Sequence, residues 1–297
     1  MGNDLAPVLV TGATGYLGGH VLANLKERGV PLVATGRTGN VGTPCDLTDM
    51  KKVRGLLEQV KPSIIIHSAA VVPKSQSAYD DSSSAEASVA MVKNIAEAAA
   101  CPVVFVSSMT VYTGAGELPV TEDDLHPPVT GYAHGKWQAE QLLFGRDFRG
   151  DVALRLPGLF GLPRRSGLLY NAAKAFLVHG DFKFSSSPGL WAAMAVGDAA
   201  EYVVRAALTT SDYPPQAVNA GYEGEFSIPD AVAEIAALCR VDWKSQSTPV
   251  AKFSMNLERL KTRYGILPAT FRQRLEELVE IVVHDLELER RGDLNAN

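Results

Sequence analysis

A tyrosine and a lysine four residues apart, in Tyr132-Ala133-His134-Gly135-Lys136, are the side chains best placed to do chemistry. On a helix that spacing sets both on one face. A free phenol gives up its proton only near pH ~10, too high for a base at neutrality. An ammonium on the same face favours the phenolate and lowers that value, so the pair could move a proton to or from a substrate oxygen. Upstream, Ser107-Ser108 close the apolar run Pro102 to Val106. A hydroxyl at that strand end could hydrogen-bond the same oxygen as Tyr132. Ser108, Tyr132 and Lys136 are therefore the candidate catalytic residues.

The elements that must position them begin at the N-terminus. Pro7 to Val10 reads as a short buried strand, feeding into Thr11-Gly12-Ala13-Thr14-Gly15-Tyr16-Leu17-Gly18 and a helical pattern of Val21, Leu22 and Leu25. A strand, a glycine turn and a helix start make a site for a pyrophosphate, because glycines let backbone approach and the helix start favours negative charge. The spacing is G-x-x-G-x-x-G rather than the general G-x-G-x-x-G. Thr11, Gly12, Thr14, Gly15, Tyr16, Leu17 and Gly18 are the candidate cofactor contacts here. A second strand, Pro31 to Thr35, ends at Gly36-Arg37, with Thr38 beside it and no acid until Asp46. In a dinucleotide fold an acid at this strand end takes the ribose 2′-hydroxyl, whereas an arginine accommodates a 2′-phosphate. Arg37 thus points to NADP in preference to NAD.

Further along, Asp49 to Val60 has helical spacing ended by Pro62, and Ile64-Ile65-Ile66-His67 is an uninterrupted β-branched strand. It runs into the small residues Ser68-Ala69-Ala70, which would let a cofactor pack closely. Lys74 to Ser84 reads as a polar loop, Ala85 to Ala100 as a helix, Gly131 to Phe148 as carrying another, and Asp151 to Leu156 as a strand leading to Pro157-Gly158. Strands alternating with helix-length crossovers predict an α/β, Rossmann-type, doubly wound parallel sheet with helices on both faces. The expected division is a dinucleotide-binding domain over 1–161 and a smaller, mainly substrate-binding lobe over 162–297. The two interleave, with segments near 196–220 completing the main sheet. In the second part, helices are expected at Leu168 to Val178, Asp198 to Leu208, Ser227 to Leu238, Glu258 to Tyr264 and Thr270 to Arg290, with a strand at Ala217 to Asn219. Apolar residues at 271, 275, 278, 279, 282 and 286 form a stripe that faces either the core or a partner, so a homodimer through it is an open reading.

The bulk properties narrow the class. A chain of 297 residues, 46% hydrophobic and 21% charged, is that of an ordinary globular protein. A net charge of −5 gives no reason to expect nucleic acid or an anionic membrane as partner. Cys45, Cys101 and Cys239 have neither metal-like nor disulfide-like spacing, so no metal is expected and a reducing cytoplasm is the expected setting. No signal peptide or membrane-spanning run is expected.

The motifs together resemble the extended short-chain dehydrogenases/reductases of the NAD(P)-dependent epimerase/dehydratase type. Thr-Gly-Ala-Thr-Gly-Tyr-Leu-Gly is similar to that family's nucleotide motif, Ser107-Ser108-Met109-Thr110-Val111-Tyr112 to its "Ser-Ser-x-x-Val-Tyr" strand end, and Tyr132 with Lys136 to its catalytic pair. The likeness runs from Val8 to about Gly161. Within the family, Arg37 to Asp49 and Lys61 to His67 resemble dTDP-4-dehydrorhamnose reductases. The resemblance implies hydride transfer to or from a keto or hydroxyl carbon, most of all that of a nucleotide sugar. Ser108 would orient the substrate, Tyr132 act as acid/base, and Lys136 tune Tyr132 and hold the nicotinamide ribose. It implies adenine contacts from Asp46 and Leu47, and cofactor contacts from Ala69, Ala70, Pro157 and Gly158. Family 4,6-dehydratases carry Asp-Glu where this chain has Met109 and Thr110, so sugar dehydration is not expected. In the helix pattern Asn-Val-x-Gly-Thr-x-Asn, Asn94 is kept while Ser88, Met91 and Val92 differ.

On the substrate side, a diphosphate calls for cations, and Arg164 and Arg165 are the candidates, with Lys183 behind them. Val71 and Met109 flank the expected site, and Trp191 or Tyr222 could stack on a base. Two alternatives stand beside a reductase. One is a nucleotide-sugar epimerase that retains NAD. The other is an NADP-binding regulatory subunit without turnover.

Overall fold

The N-terminal apolar run forms strand β1 (Val8–Thr11), buried along its whole length, and the pattern behind it forms helix α1 (Tyr16–Glu27). The computed structural model describes residues 6–37, 41–73, 79–112, 117–124, 127–128, 131–184, 190–209, 212–244 and 250–292, leaving aside the side chains of 82–84. Of the residues read from sequence, Thr38 and positions 74–78 of the polar loop lie outside that set.

The chain continues through β2 (Leu32–Gly36), β3 (Thr43–Pro44), α2 (Met50–Val60), β4 (Ile64–His67), α3 (Ser82–Ala98), β5 (Val103–Ser108), α4 (Gly131–Phe144) and β6 (Val152–Leu156). Then come β7 (Gly158–Phe160), α5 (Leu168–His179), β8 (Ala193–Ala195), α6 (Val196–Leu208), β9 (Gln216–Asn219), α7 (Ile228–Leu238), α8 (Glu258–Tyr264) and α9 (Phe271–Arg291). Among the described residues seven strands pair in parallel in the order β3-β2-β1-β4-β5-β6-β9. The order reverses at β1, with β2 on one side and β4 on the other. That reversal opens the crevice at the C-terminal ends of β1 and β4 where ligands of doubly wound sheets bind. The apolar run Ile64–Ile66 of β4 and the burial of β6 along its whole length, Arg155 included, are explained by cover on both faces.

Three details correct the sequence reading. Helix α3 begins at Ser82, inside the segment expected to be loop, and α4 ends at Phe144, short of Phe148. Strand β3 has two residues, one of them a proline, which has no N–H to donate and belongs on a sheet edge. Strands β7 and β8 form a separate parallel pair, with Gly158 opposite Ala193 and Phe160 opposite Ala195. Each is three residues long, too short to leave a periodicity.

One apolar cluster fills the sheet and its covering helices, and draws in Phe253, Met255, Leu257, Leu260 and Ile266 from late in the chain. A second gathers α5, α7 and α9. Helix α9 starts with a capping box between Thr270 and Gln273. Its Leu275, Leu278, Val279 and Val282 are buried in the second cluster, with Phe271 and Leu286 packed against it. Of the two readings of the apolar stripe, these residues therefore take the one that faces the chain's own core. No helix among the described residues is long and apolar enough to cross a membrane.

Candidate active site

The site is built on the C-terminal edge of the parallel sheet. At the end of β1, Gly12 sits at φ 69°, and a Cβ there would lie 2.5 Å from Ala69 N. A Cβ on Gly18 would lie 2.1 Å from Gly12 O, so the first turn of α1 presses directly on the strand end. Only glycine permits that approach. Gly15 is the N-cap of α1; no side chain caps the helix and no acid stands in its first turn. Thr14 and Gly15 are exposed, so the helix start presents backbone N–H groups outward, the donor set that fits a dinucleotide pyrophosphate. Ala69 and Ala70, both half-buried, follow β4 beside it. Ser68 Oγ donates to Thr11 O at 2.7 Å and pins this strand end to the glycine turn.

The adenosine side is equally open. Arg37 is exposed at the end of β2. Asp46 accepts from Thr48 N at 3.0 Å and Thr48 Oγ1 at 2.7 Å, and these bonds, with Arg37 and Lys52 nearby, hold its carboxyl below the usual range. Leu47 is buried, and its carbonyl accepts from Asn94 Nδ2 at 2.9 Å. Ser88 Oγ accepts from Val71 N at 3.0 Å. The two α3 residues singled out in the sequence thus brace the loops that follow β3 and β4.

Helix α4 carries the candidate catalytic tyrosine and lysine. Lys136 is buried, donates to Val106 O at 2.6 Å, and lies 4.7 Å from the Phe105 ring centroid and 5.6 Å from that of Tyr132. Burial pulls its ammonium down to about 8, and Glu140 one turn further on pulls the other way. The expectation that Lys136 depresses the Tyr132 phenol is corrected here. Burial, with the Tyr79 ring set edge-on at 5.4 Å, raises Tyr132 above its ordinary value and leaves it a protonated donor. Ser108 ends β5, half-buried.

Behind this face lies a charged network that the motifs did not announce. Glu140 accepts from Ser107 Oγ at 2.5 Å and from Arg155 Nη2 at 2.7 Å. Arg155 Nη1 donates to Tyr112 Oη and to Glu122 O, both at 2.9 Å, and Tyr112 donates to Asn219 at 2.6 Å. Ser107, Glu140, Arg155 and Asn219 are all buried. A buried carboxylate needs a partner of this kind, and here the partner ties α4 to β5, β6 and β9. The signal in the sequence was spacing: Tyr132, Lys136 and Glu140 repeat every four residues on one helix face. His67 is a second buried ionisable group, paired through Nδ1 with Thr11 Oγ1 at 2.7 Å and held neutral by burial, down to about 3.

The remaining candidates divide. Pro157 is buried and Gly158 exposed beside the sheet edge, while Val71 is exposed and Met109 buried. Arg164 lies over the Tyr16 ring at 4.2 Å and donates to Leu159 O at 3.2 Å, next to the glycine turn. Arg165 pairs with the buried Asp285 at 2.8 Å, which also accepts from Tyr170, so its charge is committed to α9. Trp191 packs on Phe271 at 6.4 Å, and Tyr222 is buried with its hydroxyl donating to Asp198 at 2.6 Å. Tyr222 is therefore core packing, while Trp191 is half-buried with one side edge-on to Phe271. Lys183 is exposed. Among the described residues no cluster of His, Cys, Asp or Glu is arranged to hold a metal ion.

A family model described as "RmlD substrate binding domain" matches residues 6–173, more than half of the chain. Methionine adenosyltransferase 2 subunit beta of Danio rerio is 31% identical over 162 residues, 52% of this chain and 48% of that protein. UDP-glucose 4-epimerase of Rhizobium meliloti (strain 1021) is 26% identical over 149 residues, 46% of this chain and 45% of that protein. The matched stretch thus spans about half the length of these curated relatives. Among solved structures, MoeE5 in complex with UDP-glucose and NAD superposes with a TM-score of 0.75 at 22% identity, covering 94% of this chain and 99% of its own. UDP-glucose 4-epimerase of Thermotoga maritima with UDP-glucose gives a TM-score of 0.75 at 16% identity over the same shares. At these identities the superpositions speak for the fold.

Proposed function

Because the chain belongs to the RmlD substrate binding domain family of extended short-chain dehydrogenases/reductases, we propose that it is an NAD(P)-dependent oxidoreductase acting on a keto or hydroxyl carbon of a nucleotide sugar. The observation that carries this reading is the convergence of Ser108, Tyr132 and Lys136 on the same sheet edge as the uncapped start of α1. When bound, the nicotinamide supplies or accepts the hydride. The chain does the rest. Tyr132, protonated by its buried setting, gives its proton to the substrate oxygen in reduction and takes it back in oxidation. Ser108 hydrogen-bonds that oxygen. Lys136, its Nζ fixed on Val106 O and 5.6 Å from the centroid of the Tyr132 ring, would hold the cofactor ribose and keep a positive charge near the phenol.

Arg37 supports NADP as the preferred cofactor, since an exposed guanidinium at this strand end matches a 2′-phosphate. We place the cofactor in the part up to Gly161 and the substrate chiefly against the part that follows, with Arg164 and Val71 nearest the shared edge. Three free cysteines suit a reducing cytoplasm. The test is a screen of 4-keto nucleotide sugars and simple ketones with NADPH and NADH, following cofactor oxidation. Tyr132→Phe should lower turnover about 10²–10⁴-fold. Unchanged turnover in that variant would overturn the mechanism.

A second reading, nucleotide-sugar epimerisation with retained NAD, draws on the epimerase relative and on neighbours described with UDP-glucose and NAD. It predicts cofactor that co-purifies and interconversion without net oxidation. NADPH binding without turnover of any sugar would favour instead a regulatory role of the kind suggested by the subunit beta relatives.

A further inference from the structure

Directly after Ser108 the backbone tightens into a 3-10 turn, Met109–Val111, with Ser108 as its N-cap. Two groups of Thr110 converge on the Ser108 hydroxyl oxygen: the backbone N–H donates to it at 3.2 Å, and the side-chain Oγ1 lies 3.0 Å away, where either hydroxyl can donate to the other. A serine hydroxyl has two lone pairs and one proton. When Thr110 Oγ1 is the donor, both lone pairs of Ser108 are engaged and the one hydrogen-bonding capacity left to it is its own O–H.

The backbone N–H would cap the turn whatever residue stood at 110. The second donor is different, because it requires a side-chain hydroxyl. Met109, the other residue at the site of the dehydratase Asp-Glu pair, is buried and has no donor to offer. We propose that Thr110 is a positioning residue that makes Ser108 a one-way donor toward the substrate oxygen. This rests on the reading of Ser108 as substrate-facing given above. With an open lone pair, Ser108 could accept the Tyr132 proton's hydrogen bond and compete with the substrate for it. Thr110 closes that option. It stands where family dehydratases carry an acid/base residue, has no such chemistry itself, and acts instead on the hydroxyl two residues before it.

A double-mutant cycle on the full chain tests this, with a 4-keto nucleotide sugar and NADPH as probes. Thr110→Val should lower kcat about tenfold, the scale of one lost hydrogen bond, with KM within about twofold. Thr110→Ser, which keeps the hydroxyl, should restore kcat. On a Ser108→Ala background Thr110→Val should cost nothing further, because the group it acts through is gone. Equal losses on both backgrounds would mean a merely structural role and would overturn the proposal, as would unchanged kcat in Thr110→Val. Should the valine variant fail to melt cooperatively, Thr110→Ala removes the same hydroxyl with less bulk and is held to the same criteria. Failure of the underlying reading looks different: no turnover by the wild type, or full turnover by Ser108→Ala, overturns both.

Discussion

Helices α1 and α4 both start at the sheet edge that carries the ends of β1 and β5, yet one offers backbone and the other side chains. The first turn of α1 contains no acid, no capping side chain, and a glycine, Gly18, where a Cβ would strike neighbouring backbone. The inward face of α4 is filled with a phenol, an ammonium and a carboxylate, each seated against a partner in the sheet or its loops. The difference follows from what each must do. An anchor for a diphosphate works by leaving N–H groups uncovered, so added atoms should harm it. A proton-transfer face works by holding charge in a dry place, so removed atoms should harm it.

The comparison can be broken at four places. The largest effect is expected at Glu140→Ala, which strands Arg155 in the core without its carboxylate. Losing one partner of a buried pair costs about 3–5 kcal/mol, to be read from urea unfolding. A loss near zero would mean that the network does not brace α4. Next is Gly18→Ala, which puts a methyl group 2.1 Å from Gly12 O. It should cost about 1–3 kcal/mol of stability or cofactor affinity, although it is chemically the mildest of changes. Full affinity for NADPH in a fully stable variant would show that the anchor has room to spare.

Arg37→Ala should weaken NADPH about tenfold and leave NADH unchanged, as measured by fluorescence titration. Equal loss for both cofactors, or none, removes its assigned role. The fourth place concerns pH. Lys136 is held at about 8 in the folded chain against an ordinary 10.5, so folding favours loss of its proton. Below about pH 8 both states carry the charge and the folded one bears the cost of burying it. As pH rises from there toward 10.5 that cost is relieved, and this group's contribution to stability grows with pH. The urea midpoint of wild type should therefore gain on that of Lys136→Met between pH ~7 and ~10. A constant difference would show that Lys136 is not held down by burial.

Much of the site was legible because it is local. Gly12, Gly15 and Gly18 report a backbone shape, and Tyr132 with Lys136 report a helix face; both fit within one turn of chain. Arg37 could be read because its strand end has a fixed place in the sheet. What escaped was non-local. Arg165 looked free for a phosphate until α9 brought Asp285 beside it, across 120 residues. Trp191 and Tyr222 looked like stacking rings until Phe271 arrived to pack with them. Tyr79 could not be seen to meet Tyr132, since nothing in either segment encodes the approach. The depressed phenol inferred from the Tyr-Lys spacing also failed for this reason. Spacing shows that two groups share a face, but only the fold shows how much water is left around them.

The path of the chain around β6 has a consequence for anyone who would take this protein apart. Its outer neighbour, β9, comes from residues 216–219, and the apolar cover of the same sheet includes Phe253 to Ile266. Tyr16 Oη donates to Gly161 O at 2.5 Å, and His20 bonds Leu162 O at 2.9 Å, across the point where a scissor would naturally fall. The half proposed to hold the nucleotide is thus not a contiguous cassette. A fragment ending at Gly161 would leave β6 with a bare edge and α1 without its cover from α6, and a chimera that grafts a new substrate lobe must carry the return strand with the donor of the sheet.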